Sequence, residues 1–490
     1  MIETKNRAIV NDGSPQSAEA DTDAVADEQH TWFGVSVSTK QLLLAIVAVS
    51  VLLRLLSAFY QGNTVVDLPG IYDQLSYHGL AQRVVEGHGF SFAEGHWPAT
   101  RAGEPTAHWS YLYTLYLAAV YVVFGVQPLV ARVIQAVIVG VLHPWLAYRI
   151  GRRVFGVPVG LLAAAFSAVY IYFFYYAGGL LTESFYFVGI LWTLDAAMRI
   201  AEQRHRPLRW RLWVELGLAI GVTGLLRQVF LLFVPFLFLW IWWSLSARAA
   251  PAHRSVRQFF RSDVLLGMAS TIVVVALLIA PWTIRNYRAF GAFTPLNTNA
   301  GFAFFWGNHP VYGAKFVPLL GTQEYYELIP KQLLSLNEAE LDRALLKEAI
   351  GFIVADPVRY ALLSVDRSRE YFKFWPSSES STLSNISRVG SFALFLPFML
   401  YGLLLSAYRV HRPQSTQQRA QLLLLYFFIL FYTFLHLLTW TLVRYRLPID
   451  AVLLLFAAFG IVNIFDRLVW PADSKSICAT PKGDHLANRN

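Results

Sequence analysis

The chain is poor in what a soluble enzyme relies on. It has one cysteine, Cys478, in 490 residues. That excludes an internal disulfide, a Cys-rich zinc site and an iron–sulfur site. Charged residues are only 14% of the sequence, against about 25% in an average soluble domain. The N-terminus lacks the basic start, apolar stretch and small-residue cleavage site of a secretory signal peptide. The Asp-x-Asp at Asp21-Thr22-Asp23, a spelling associated with metal-bound nucleotide sugars, lies in an acidic tail with no sheet around it and carries little weight.

What is abundant is apolar surface. Hydrophobic residues are 56% of the chain and come in long blocks, so the sequence reads as an all-α polytopic membrane protein. Residues 1–38 read as a polar, disordered cytoplasmic tail and 470–490 as a second one. Ten blocks read as spans: 42–60, 128–148, 157–176, 182–199, 211–226, 228–244, 263–281, 391–408, 420–440 and 449–468. They divide into an N-terminal transmembrane module, 39–281, that includes an outer loop at 61–110; an extracytoplasmic segment, 282–390; and C-terminal helices at 391–469.

The block 111–124 is too short for a comfortable span, and parity decides its place. Basic clusters occur at Arg149/Arg152/Arg153, Arg204/Arg206/Arg209/Arg211, Arg248/Arg254/Arg257/Arg261 and Arg409/Arg412/Arg419. If 111–124 lies along the interface, all four clusters fall on the cytoplasmic side, with both termini. The net charge of +9 is then a topology signal and calls for no nucleic-acid partner. The hairpin 211–244 would make about 51 Å of helix at ~1.5 Å per residue, less than two ~30 Å crossings. Its turn at Arg227 should therefore stop short of the outer surface, where an arginine needs water, a partner or an anionic ligand. In the second outer segment Asn337 and Glu340 spell a capping box. Leu341, Leu345, Ala349 and Phe352 then recur at helical spacing until Asp356-Pro357.

The topology leaves a few charges unexplained, nearly all on the outer side. Asp73 precedes a short helix and Glu183 opens the fourth span; taken singly, either could be a helix-terminal acid. Arg227, Arg285, Arg444 and Arg446 oppose the positive-inside trend. Arg54, about one and a half turns from the outer end of the first span, is expected to snorkel outward. Several arginines and two acids in one region favour an anionic-ligand site with a general base. His78, His88, His96 and His108 match no metal-ligand spacing and suit surface or acceptor contacts.

These segments resemble the GT-C superfamily of integral-membrane glycosyltransferases, in particular the family 39 branch of protein O-mannosyltransferases and lipid A aminoarabinose transferases. The resemblance runs through Asp73, Tyr77 and Ala81; the short amphipathic helix 109–125; Gly151 to Gly156; Thr182-Glu183; Gly224 to Arg227; Pro281 to Asn286; and Arg444-Tyr445-Arg446-Leu447-Pro448. It implies a GT-C-like fold with about ten transmembrane helices, an interfacial helix and two large outer loops. It also implies a transferase that moves a sugar from a polyprenyl-phosphate donor to a glycan, glycolipid or protein acceptor, with no cofactor required and a divalent metal left open. Asp73 would be the base toward the acceptor, assisted by Glu183. Arg227, Arg444, Arg446 and Arg285 would hold the lipid phosphate, and Tyr77, His78 and Asn286 would contact donor or acceptor. The expected location is a bacterial inner or plasma membrane with the site facing outward. The rival readings are a secondary transporter or flippase, a polysaccharide polymerase or ligase, and a membrane scaffold. A transporter would put its polar residues near the midplane of repeated halves, and neither feature is seen in the sequence.

Overall fold

The structure, a computed structural model, describes residues 29–32, 35–67, 73–203, 209–246, 262–318, 320–378, 380–410 and 416–469. The Asp-x-Asp at 21–23, Arg204, Arg206, Arg248, Arg254, Arg257, Arg261, Arg412, Cys478 and the C-terminal tail lie outside the described residues. Part of the expected unstructured tail is ordered. Gln29–Trp32 (β1) and Val35–Ser38 (β2) pair antiparallel, Gln29 opposite Ser38. Ser38 then caps α1 (Thr39–Gln61): its Oγ accepts from Gln41 N, and Gln41 Oε1 accepts from Ser38 N.

Every apolar block forms helix. After α1 come α2 (Asp73–Val85), α3 (Tyr111–Phe124), α4 (Pro128–Phe155), α5 (Val157–Val169), α6 (Ile171–Gly178), α7 (Glu183–Glu202), α8 (Trp210–Leu226) and α9 (Val234–Ser246). Among the described residues seven helices are long and apolar enough to span, or eight if the bent pair α5–α6 is one crossing. The difference from ten is the 210–246 hairpin, whose helices of 17 and 13 residues are too short. Helix α3 is 14 residues, about 21 Å, with Tyr111, Tyr113, Leu117 and Tyr121 buried and Val122, Val123 and Phe124 exposed. That short, one-sided form suits a helix lying along the bundle.

The next helix, α10 (Ser262–Phe290), runs through Pro281 to the end of its 29 residues. The sequence pattern ends this span at the proline, but Arg285 and Asn286 are helical and lie beyond it. Helix α4 likewise extends past 148 to Phe155, where Gly156, at φ 104°, closes it by donating to Arg152 O. Helices α4 and α5 meet backbone to backbone: a Cβ on Gly160 would stand 2.7 Å from Tyr148 O.

The second outer segment forms a small helical body, α11 (Ala300–Asn308), α12 (Thr322–Glu327), α13 (Glu338–Ala355) and α14 (Pro357–Tyr371). Phe302, Phe305, Trp306, Tyr325, Leu341 and Leu345 form its core. The expected capping box of α13 is present, with Asn337 accepting from Glu340 N at 3.0 Å. Buried Glu338 binds this body to the first outer segment, accepting from Ala107 N at 2.7 Å and Thr100 Oγ1 at 2.8 Å. The chain closes with α15 (Thr382–Arg388), α16 (Leu394–Val410), α17 (Thr416–Leu438) and α18 (Leu447–Val469), the last largely enclosed by the bundle.

Candidate active site

Four charged residues from distant parts of the sequence meet at one end of the bundle. Glu183 is the first residue of α7, so its carboxylate sits at the positive end of a helix dipole. The turn before it is fixed by Gln135, whose amide donates to Ala177 O at 2.9 Å and Gly179 O at 2.8 Å. It also presses on α1: a Cβ on Gly178 would stand 2.7 Å from Ser57 O, so only glycine fits. Asp73 opens α2 in the same way. Arg227 occupies the break after α8, extended at φ −150°. Its neighbour Gln228 pins that turn by donating to Asn297 O at 3.0 Å and accepting from Asn297 N at 3.0 Å. Arg444 lies in the last loop, one turn before α18.

The four side chains form a neutral chain of ion pairs. Arg227 Nη2 donates to Glu183 Oε1 at 2.6 Å, and its Nε donates to Thr182 Oγ1 at 2.9 Å. Arg444 Nη1 reaches both carboxylates: it donates to Asp73 Oδ2 and lies 3.3 Å from Glu183 Oε1. The side chains of Glu183 and Arg444 are 4% and 10% exposed, and Asp73 is 18% exposed. Arg444 Nε has no partner. A crevice of about 280 Å³, including its open mouth, lies against the cluster. Glu183, Tyr186, Phe187, Arg227, Val229, Tyr432, His436, Arg444, Tyr445, Leu447 and Pro448 line it. It combines guanidinium donors with aromatic walls: Tyr186 and Tyr445 face Arg227 at 5.8 and 5.5 Å.

Tyr77 borders the cluster, within electrostatic reach of Asp73, Glu183 and Arg227, and the other expected site residues are placed elsewhere. Tyr77, one turn after Asp73, is buried edge-on against Trp109 and Tyr113, and burial beside Asp73 pushes its phenol up. It braces α2 beneath the acid. His78 points to another side, 2.8 Å from Tyr121 Oη. Arg285 donates to Thr106 O and Phe90 O, while Asn286 accepts from Tyr111 and donates to Leu296 O. Both therefore tie the end of α10 to the outer segments. Arg446 is fully buried, paired with Asp450 at 3.0 Å and donating to Tyr371 O. Its guanidinium is taken up inside the protein. Arg54 does not snorkel: it is fully buried, donating to Ser50 O and Ser167 O and lying 3.3 Å from His143 Nδ1. With a ring of helices around it, inward partners are nearer than water.

The histidines of the first outer segment are mostly structural. His96 lies 2.8 Å from Ser76 Oγ and stacks on Phe92, and His108 Nδ1 donates to Thr298 O at 3.1 Å. Burial pushes both down to about 4. Among the described residues no three His, Cys, Asp or Glu side chains gather as a metal site would require.

Several residues that shape or line the site escape the sequence reading. Asp450 follows Arg446 by four residues, a helical ion-pair spacing that is legible in the chain. Gln135 and Arg132 are visible as polar residues inside an apolar block; Arg132 donates to Gly62 O at 2.6 Å and Thr64 O at 2.9 Å, holding the start of the first outer segment. His436 and Tyr432 give no signal beyond their positions in an apolar span. At the far end of α7, about 18 Å from Glu183 at ~1.5 Å per residue, buried Asp195 collects Arg149, Arg153 and Arg199 at 3.1–3.4 Å.

Residues 110–284 match the family described as dolichyl-phosphate-mannose-protein mannosyltransferase. No curated protein matches the sequence. Among solved structures, the Archaeoglobus fulgidus oligosaccharyltransferase in its apo form aligns with TM-score 0.57 and 18% identity, over 91% of this chain and 53% of that one. The same archaeal enzyme, AglB, in complex with an inhibitory peptide and a dolichol-phosphate gives TM-score 0.56, 18% identity and 91% and 52% coverage. ArnT from Cupriavidus metallidurans bound to undecaprenyl phosphate covers 91% and 83% at 14% identity, with a TM-score of only 0.37. The chain spans about half the length of the archaeal enzyme it resembles.

Proposed function

We propose, from the premise that the chain has the GT-C superfamily fold, that it is a membrane glycosyltransferase moving a sugar from a polyprenyl-phosphate donor to an extracytoplasmic acceptor. The observation that carries this reading is the one nitrogen of Arg444 shared by Asp73 and Glu183, with Arg227 on Glu183 beside an aromatic crevice.

The chemistry follows from the charges. The cluster is neutral as it stands, so binding a lipid phosphate shifts guanidinium donors from the carboxylates toward the ligand. Arg227 and Arg444 turn toward the phosphate oxygens, and Asp73 is released as a free base. The acceptor hydroxyl attacks the anomeric carbon and gives its proton to Asp73. The bond from that carbon to the phosphate oxygen breaks, and its electron pair leaves with the phosphate. The two arginines neutralise the growing charge in a site with little water. One displacement inverts the anomeric centre. Glu183 holds Arg227 in place before the donor arrives. Arg285 and Arg446 act as braces in this reading.

The position of the ion network around Asp195, at the opposite end of α7 from Glu183, supports a site on the extracytoplasmic side; a bacterial inner membrane with both termini inside is part of the same proposal. The test is sugar transfer by reconstituted protein from polyprenyl-phosphate monosaccharides, with product stereochemistry. Asp73→Asn is expected to lower transfer by about 10²–10⁴-fold. Undiminished transfer removes Asp73 from the base role.

A further inference from the structure

His436 lines the crevice from α17 and has one ring nitrogen without a partner among the described residues. Its Nδ1 lies 3.3 Å from the backbone oxygen of Trp440. A carbonyl oxygen can only accept, so Nδ1 carries the proton. A second proton would place a charge on a buried ring that has no acid partner of its own among the described residues, so the ring is neutral and Nε2 has a bare lone pair. That atom is buried and has no partner. The hydroxyl of neighbouring Tyr432 is directed at that of Tyr186 rather than at Nε2. The ring cannot turn away. It stacks on Tyr445 at 5.0 Å and 24° and on Tyr371 at 6.1 Å and 27°, with Tyr432 edge-on at 4.9 Å.

A buried acceptor without a donor is unfavourable unless a ligand supplies the donor. The ligand's chemistry is constrained by the neighbours. An ionised phosphate offers only acceptors, which Nε2 repels and the arginines attract. A sugar hydroxyl offers a donor. We infer that His436 is a specificity-determining residue whose bare Nε2 accepts a hydrogen bond from a hydroxyl of the lipid-linked sugar, beside the phosphate held by Arg227 and Arg444. This rests on the donor reading above.

The experiment measures binding of polyprenyl phosphate and of a panel of polyprenyl-phosphate monosaccharides (mannose, glucose, N-acetylglucosamine, aminoarabinose) to the full chain in nanodiscs. His436→Asn keeps an amide N–H near Nδ1 and deletes Nε2; His436→Gln puts an amide near Nε2. For the sugar that binds tighter than bare polyprenyl phosphate, His436→Asn is expected to remove about 10-fold of affinity, leave bare polyprenyl phosphate within about twofold, and be partly rescued by His436→Gln. Equal loss for both ligands would make the residue structural and overturn the inference. So would a sugar-dependent gain that His436→Asn leaves intact, or no sugar-dependent gain at all. Wild-type protein that binds no polyprenyl phosphate would overturn the donor reading itself.

Discussion

Arg444→Gln is the substitution that most directly probes the shared bridge. The guanidinium serves two carboxylates from one nitrogen, 3.3 Å from Glu183 Oε1, and all three groups are largely enclosed. At that separation and an effective dielectric constant near 20 the bare attraction is about 5 kcal/mol per pair, much of it offset by the desolvation of both ions. The net consequence of deleting one partner of a buried pair is about 3–5 kcal/mol, because the other charge is left without compensation. Arg444→Gln should destabilise the protein by that amount in a denaturant titration of the reconstituted chain followed by tryptophan fluorescence. The decisive measurement is the cycle with Asp73→Asn. Once Asp73 is neutral, Arg444 compensates one carboxylate fewer, so the same substitution should become about 1–3 kcal/mol milder. Effects that add within about 0.5 kcal/mol would refute the argument. They would mean that solvent, and not Arg444, compensates Asp73.

Glu183→Gln frees Arg227 Nη2 and should tighten binding of polyprenyl phosphate several-fold while lowering stability, as read by isothermal titration and denaturation; weaker binding would count against competition between carboxylate and phosphate. The first outer segment should be acid-sensitive. His108 stays neutral in the native state down to about pH 4, while the unfolded chain protonates near 6.5. The contribution is therefore complete above 6.5 and is lost as pH falls toward 4, about 3 kcal/mol in all. Hydrogen exchange over residues 90–110 should accelerate across that range, beyond the intrinsic pH effect, and do so less steeply in His108→Gln, where His96 still contributes. Asp342 has the opposite sign. Its carboxyl accepts from Gly301 N and Phe302 N, and burial pushes it up to about 7. Stability of the second outer body should thus rise as pH falls from about 7 to 4, and Asp342→Asn should remove that slope. Gly160→Ala would place a methyl 2.7 Å from Tyr148 O and 2.8 Å from Arg152 N, so α4 and α5 must separate. A loss of about 1–3 kcal/mol is expected in the same titration.

Hydropathy makes most of the bundle legible in the amino-acid sequence. The blocks fall on helices, α3 is short and one-sided, and the capping box at Asn337 is where its spelling puts it. What misleads is local reasoning at ends. Pro281 looks like a stop, yet a long apolar helix packed in a bundle carries through one missing N–H. The site is half legible for a similar reason. Asp73, Glu183, Arg227 and Arg444 stand out because each charge has no explanation from topology. Arg446 and Arg285 stand out equally; the four-residue spacing hints at Asp450 for the first, but only geometry reveals that the carbonyls of Thr106 and Phe90 occupy the second. A sequence displays an unexplained arginine but not the partner folded against it. His436 illustrates the converse. A neutral histidine in an apolar span carries no charge anomaly and becomes visible only through the hydrogen bond its other nitrogen makes.

The short 210–246 hairpin links these two levels. Helices of 17 and 13 residues cannot bring their turn to the surface of a ~30 Å core, so Arg227 is held at depth by chain length alone. A cation at that depth requires an anion, and Glu183, fixed at the start of α7 by Gln135 and the Gly178–Gly179 turn, supplies it. In the proposed reading the pair stores an arginine within reach of a lipid phosphate. Lengthening α8 and α9 by one turn each would lift Arg227 about 5 Å away from Glu183. The fold would keep its helices but lose the Arg227–Glu183 contact, and with it, in the proposed reading, donor recognition.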